Sequence, residues 1–211
     1  MQNNIEYLHA DKYGQAMKIA RKFTGDGKTR PILSFVFHDK DGSIVATDSH
    51  RAIRIKNIHG FKEDYLIHPN TIDFAKADYP DTKKVFGEKG NISITLNKEQ
   101  IKIWLQMHKS INQLIEKVYG RYTHVTLAFD EKITFKIKNE NEIEFTLPYS
   151  DFDKPDTNKV TYDPKYMRDA LEAHTTMGSE IVNIIINGQM RPMIIENGLD
   201  VEAVVLPVRT Y

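Results

Sequence analysis

The sequence predicts an α+β protein made of two related domains. Its helical segments stand apart from runs of β-branched and aromatic residues that double back in hairpins. The strand–helix–strand rhythm of a parallel sheet is missing. A scheme of helix, strands and helix recurs along the 211 residues, a length that suits two domains of about 100 residues each. The expected division is 1–82 and 83–211.

The elements follow in chain order. Residues 11–23 read as an amphipathic helix, with Tyr13, Met17, Ala20 and Phe23 at helical spacing and Lys12, Lys18, Arg21 and Lys22 elsewhere on its surface. Gly25-Asp26-Gly27 ends it. Ile32–Phe37 and Ser43–Ile55 read as strands, joined by a hairpin turn at Asp39-Lys40-Asp41-Gly42 in which glycine supplies the positive φ. That turn lacks the further oxygen ligands of a calcium loop. The spacing of Ile72, Phe74 and Ala75 predicts a short helix over 69–77, before Tyr79-Pro80-Asp81-Thr82 breaks the chain. A strand at Ile92–Leu96 leads into the longest helix, about 98–117. Strands follow at 123–129, 132–138 and 142–147, then a polar linker, Asp151–Asn158. Pro164 fits the first turn of a helix over 163–174. The remaining strands are Ile181–Ile186, Pro192–Glu196 and Val201–Pro207.

Composition narrows the function classes. Hydrophobic residues make up 40% and charged residues 27%, enough for a packed core. Lys and Arg number 29 and so do Asp and Glu, so any nucleic-acid contact must come from charge gathered on one face. There is no cysteine, which removes disulfides, thiol catalysis and cysteine-type zinc sites. The start, Met1-Gln2-Asn3-Asn4-Ile5-Glu6, is unlike a signal peptide, and no run approaches the roughly 20 apolar residues of a membrane span. A soluble, cytoplasmic protein is expected.

No motif marks an active site. Gly87-Glu88-Lys89-Gly90 lacks the spacing of a phosphate loop, and the eight histidines are scattered, so neither a metal nor a cofactor is expected. Asp48-Ser49-His50 lines up three triad residue types. Neighbours on a strand face opposite ways, however, and a triad converges from separate elements. A hydrolase there would have to lose its activity in Ser49→Ala. The basic residues are more informative: the three long helices carry Lys12, Lys18, Arg21 and Lys22, then Lys98 and Lys102, then Lys165 and Arg168. They read either as solvated helix faces or as a surface that meets phosphates without reading bases. The C-terminal run from Val204 to Tyr211 is apolar where chains normally end in polar tails, as a packed strand or a binding surface would be.

Five segments carry a family resemblance. Leu206-Pro207-Val208-Arg209-Thr210-Tyr211 resembles the C-terminus of Gram-positive DNA polymerase III beta subunits, the bacterial sliding clamps, and Ala46-Thr47-Asp48-Ser49-His50-Arg51 is similar to a signature strand of their middle domain. Tyr79-Pro80-Asp81-Thr82 resembles the crossing into their last domain. Asp163–Leu171 is similar to that domain's second helix, and Met190-Arg191-Pro192-Met193 to the strand start after it. The segments occur in the family's order and match its second and third domains.

The resemblance implies a DNA clamp fold, with antiparallel sheets outside and helices on one face, and no enzymatic activity. It implies a shortened first domain, because Asp78 passes straight to Tyr79 where the family has a strand hairpin. It assigns a groove for short peptides of DNA polymerase and other replication proteins. One wall would hold Thr47, Ser49, His50, Arg51 and Ala52, the last in place of the family's leucine. The other would hold Val204, Val205, Leu206, Pro207, Val208 and Arg209. It further implies that Lys12, Lys18, Arg21, Lys22, Lys98, Lys102, Lys165 and Arg168 face duplex DNA inside a ring. Two domains per chain would close a ring of six as a homotrimer. A phage or mobile-element origin is expected from the compact size. The alternative is a clamp mimic that binds the same peptides without a ring and regulates host replication.

Overall fold

The computed structural model describes residues 5–87, 90–119, 124–138 and 142–209. The chain divides into two compact units, Met1–Pro80 and Asp81–Tyr211, both α+β. Within either unit the strand pairs are antiparallel.

Unit 1 opens with helix α1 (Tyr13–Ala20), which buries Ala16, Met17, Ile19 and Ala20 and tightens into a 3-10 turn, Arg21–Phe23. Strands β1 (Val36–His38), β2 (Ile44–Thr47), β3 (Arg51–Ile55), β4 (Tyr65–Ile67) and β5 (Phe74–Ala75) follow, in the sheet order β3-β2-β1-β4-β5. The β1–β2 hairpin turns where expected: Gly42 sits at φ 91° and its N–H donates to the Asp39 carbonyl at 2.9 Å.

Three expectations in unit 1 fail. The strand read over Ser43–Ile55 is a hairpin, β2 and β3, because Ser49 turns the chain at φ 76°. Residues 31–34 form a 3-10 turn instead of starting a strand, because Pro31 fixes the backbone and the Leu33 N–H donates to the Arg30 carbonyl. Residues 69–77 are not helical. They hold a tight turn and β5. The His68 N–H donates to the Asp73 carbonyl and the Ile72 N–H to the His68 carbonyl. Ile72 takes φ 60°, a left-handed conformation in which a β-branched residue cannot continue a helix.

Unit 2 begins with a short helix α2 (Lys83–Gly87), strand β6 (Ile92–Asn97) and helix α3 (Lys98–Leu114), which runs into a π turn, Ile115–Tyr119. Next come β7 (Val125–Phe129), β8 (Ile133–Lys138), β9 (Glu142–Thr146), β10 (Asp151–Phe152), β11 (Lys159–Tyr162), helix α4 (Pro164–Met177), β12 (Ile181–Ile186), β13 (Met193–Glu196) and β14 (Val201–Val205). The expected polar linker therefore starts with an edge strand, and β11, not foreseen, follows it. The position expected to begin β7 at residue 123 lies outside the described residues. The long helices start at strong caps. The Asn97 side chain accepts from the Glu99 and Gln100 N–H groups while Gln100 answers the Asn97 N–H. Asp163 caps α4 ahead of Pro164, and Gly178 ends it at φ 85°.

Unit 2 has two sheets, β10-β6-β12-β13-β14 and β11-β7-β8-β9, with α3 and α4 packed on one another. Its first sheet, with α4, repeats the plan of unit 1: β10, β6, β12, β13 and β14 stand in the order of β5, β4, β1, β2 and β3 beside α1. The strand ends agree as well. After β14 the Val208 N–H donates to the Thr161 carbonyl of β11 at 2.7 Å, and after β3 the Ala10 N–H donates to the Ile58 carbonyl at 2.8 Å. Among the described residues, unit 1 has no counterparts of α3 and β7–β9. The six residues 68–73 join β4 to β5 where residues 98–150 join β6 to β10. Ring contacts run through unit 1 from Tyr13 by His38, His59, Phe61 and Tyr65 to Phe74, with centroids 4.5–6.2 Å apart.

Three fully buried histidines share one arrangement. In each, one ring nitrogen donates to a backbone carbonyl and the other accepts from a hydroxyl. His38 links the Val36 carbonyl to the Tyr13 hydroxyl. His108 links the Trp104 carbonyl to the Tyr162 hydroxyl. His174 links the Ile195 carbonyl to the Ser179 hydroxyl. Burial disfavours the imidazolium and holds all three at about 4, well below the ordinary 6.5.

Candidate functional site

The β2–β3 turn of unit 1 carries the first group of expected site residues. Thr47 and Ala52 pair across the hairpin, and Ser49 turns the chain at φ 76°. Asp48 organises the turn: its Oδ1 accepts from the His50 and Arg51 N–H groups at 2.9 and 3.0 Å. The Thr47 hydroxyl donates to the Arg51 carbonyl at 2.7 Å and accepts from the Ser49 N–H at 3.1 Å. Asp48 thus accepts from the backbone and side chain of its own turn.

Arg51 is turned inward, unlike a groove-facing side chain. Its Nε donates to Asp48 Oδ2 at 2.9 Å, its Nη2 donates to the Lys22 carbonyl, and the guanidinium lies 5.0 Å from the Phe23 ring centroid. It fastens the turn to the end of α1. Ala52 is buried as well, Thr47 is half-buried, and Ser49 and His50 are exposed.

The second group lies in unit 2. Val204 and Val205 are buried in β14 opposite Ile194 and Met193. Leu206, Pro207 and Val208 are half-buried and Arg209 is exposed, while Thr210 and Tyr211 lie outside the described residues. Beside Leu206 opens a cavity of about 550 Å³. Val85, Pro192, Ile194 and Leu206 give it an apolar lining, and Lys84, Asn187 and Arg191 are polar groups around it. α2 positions Lys84 and Val85: Asp81 Oδ1 accepts from the Lys83 N–H at 3.0 Å and Phe86 is buried beneath. Sequence reasoning missed α2, although Asp81 ahead of Lys83-Lys84-Val85-Phe86 was its signal. A further cavity of about 320 Å³ adjoins the first through Gly90 and Asn187 and carries Asp153, Lys154 and Asp156.

The basic residues separate by helix. On α1 and the turn after it, Lys12, Lys18, Arg21 and Lys22 are exposed, and among the described residues Lys18 and Arg21 have no ion-pair partner. In unit 2 three of the four candidate basic residues are matched. Lys98 pairs with Glu180 at 2.6 Å, Lys102 with Glu99 at 2.7 Å and Arg168 with Asp169 at 2.8 Å. The hydrogen bond from Lys102 lowers the Glu99 pKa, and the one to Glu180 raises that of Lys98. Lys165 is exposed. Among the described residues, no group of three or more His, Asp or Glu could hold a metal ion, and no helix is long and apolar enough to cross a membrane.

Antiparallel sheets, paired helices and a tail that returns from the last strand to β11 define this chain as a DNA clamp fold. Solved structures that it resembles include bacterial polymerase clamps. The beta subunit of DNA polymerase from Streptococcus pyogenes superposes with a TM-score of 0.79 at 15% identity, over 100% of this chain and 67% of that one. The sliding clamp of Bacillus subtilis gives 0.75 at 19% identity, over 99% and 66%. The DNA polymerase III beta chain of Streptococcus pneumoniae gives 0.76 at 18%, over 100% and 67%. The chain thus spans about two thirds of the length of the clamps it matches. The sequence matches no family model and no curated protein.

Proposed function

We propose that this protein is a non-enzymatic, sliding-clamp-like replication protein that takes short apolar peptides of DNA polymerase and other clamp-binding proteins. The observation that carries the reading is the open cavity at Leu206, where the tail that the sequence marks as a binding surface leaves β14. Its apolar lining with a few polar groups suits anchored side chains of an extended peptide. Thr47, Ser49 and His50 on the β2–β3 turn are assigned to the same ligand by resemblance. Fluorescence anisotropy with a labelled peptide bearing adjacent Leu and Phe tests the reading. Deletion of 206–211 should abolish binding while far-UV circular dichroism keeps its helical signal. Unchanged affinity would overturn it.

Encircling duplex DNA belongs to the same reading, with Lys12, Lys18, Arg21, Lys22, Lys98, Lys102, Lys165 and Arg168 as the loose phosphate contacts that sliding requires. The clamp-mimic reading has its own support. The ion pairs of Lys98, Lys102 and Arg168 weaken the positive field of unit 2, and unit 1 holds one sheet where a complete domain holds two. Light scattering that shows a trimer, with salt-sensitive retention on circular DNA, favours the ring. Peptide binding by a monomer favours the mimic.

A further inference from the structure

The whole chain is electrically balanced, whereas the charged side chains described at the cavity at Leu206 are both basic. Lys84 and Arg191 are its charged groups, and no carboxylate lines it among the described residues. Lys84 is exposed at the surface of α2 and has no ion-pair partner among the described residues. Its flexible stem can place the ammonium over the opening while the apolar residues hold the ligand below. Beyond Gly90 and Asn187 the adjoining cavity is of mixed charge, with Asp153, Lys154 and Asp156.

From this asymmetry we infer that the preferred ligand is an acidic peptide, an apolar anchor flanked by Asp or Glu, with Lys84 as the residue that selects the acidic flank. The inference rests on the cavity being the peptide site proposed above. Charge complementarity at a rim acts on partner choice and encounter rate more than on total affinity. The apolar anchor supplies the binding and Lys84 the discrimination.

Three labelled peptides with one Leu-Phe anchor, flanked by Asp, by Asn or by Lys, test this by anisotropy with the intact chain. The Asp peptide should bind about three- to fivefold more tightly than the Asn peptide, the range of an exposed ion pair. The Lys peptide should bind more weakly than either. The advantage should shrink at high salt. Lys84→Gln should reduce the preference and Lys84→Glu abolish or reverse it, read as the ratio of Asp-peptide to Asn-peptide affinity within each variant. Equal affinity for all three peptides, or a preference for the Lys peptide, would overturn the inference and leave the peptide site standing. Binding of none of them would overturn the site itself, and the inference with it.

Discussion

Lowering the pH from about 8 to about 5 should destabilise unit 2 by about 4 kcal/mol. Its two fully buried histidines, His108 and His174, are each held at about 4 against an ordinary 6.5. Above the ordinary value both the folded and the unfolded chain keep these rings neutral, and the stability is fully present. Below it the unfolded chain binds protons that the folded chain refuses, so stability falls until the pH reaches the folded value and then levels off. One pKa unit corresponds to about 1.4 kcal/mol, and about 1.5 units separate 6.5 from pH 5, giving about 2 kcal/mol per histidine. The assay has a built-in reporter. The chain has one tryptophan, Trp104, buried in α3 with its indole N–H on the Pro148 carbonyl and its own carbonyl accepting from His108. Urea unfolding followed by Trp104 fluorescence should show the midpoint falling steadily over this range. An unchanged midpoint would refute the reasoning, since it would require imidazoles that protonate in place.

Further perturbations address other parts of the chain. Arg51→Met removes the guanidinium from Asp48 Oδ2 and from the Lys22 carbonyl and should cost about 2 kcal/mol, read as a lower thermal midpoint by circular dichroism. Gly42→Ala sets a Cβ 2.9 Å from the His59 carbonyl at φ 91° and should cost about 1–2 kcal/mol, measured by the same melt. If the helices meet DNA, charge reversal at Lys18 and Arg21 should weaken retention on circular duplex and flatten its salt dependence. Reversal at Lys98, already paired with Glu180, should weaken it less.

The sequence displayed what is encoded locally. The helix starts near Lys98 and Pro164 and the Asp39–Gly42 turn are specified within a few residues, and the structure places them where the pattern does, although α4 runs on from the expected end at 174 to its cap at Gly178. Features that depend on distant residues were hidden. Residues 69–77 had weak helical spacing, and a His68–Asp73 turn with Ile72 left-handed prevailed over it. β11 was concealed beside a polar linker because Val160 and Tyr162 gain their meaning only from pairing with β7. At the candidate site the tail was visible as an apolar C-terminus. The inward turn of Arg51 depends on Lys22 and Phe23, some thirty residues earlier, and α2 was too short to register as a periodicity.

The short β4–β5 connection has a consequence for how such chains change length. A five-stranded sheet survives in unit 1 although residues 68–73 replace what in unit 2 is a helix and a three-stranded meander. The edge is completed by the strand that returns, β5 or β10, and does not depend on the excursion between. That excursion behaves as a cassette whose ends meet on neighbouring strands. The order of the remaining strands does not depend on it, since unit 1 keeps that order with six residues in its place.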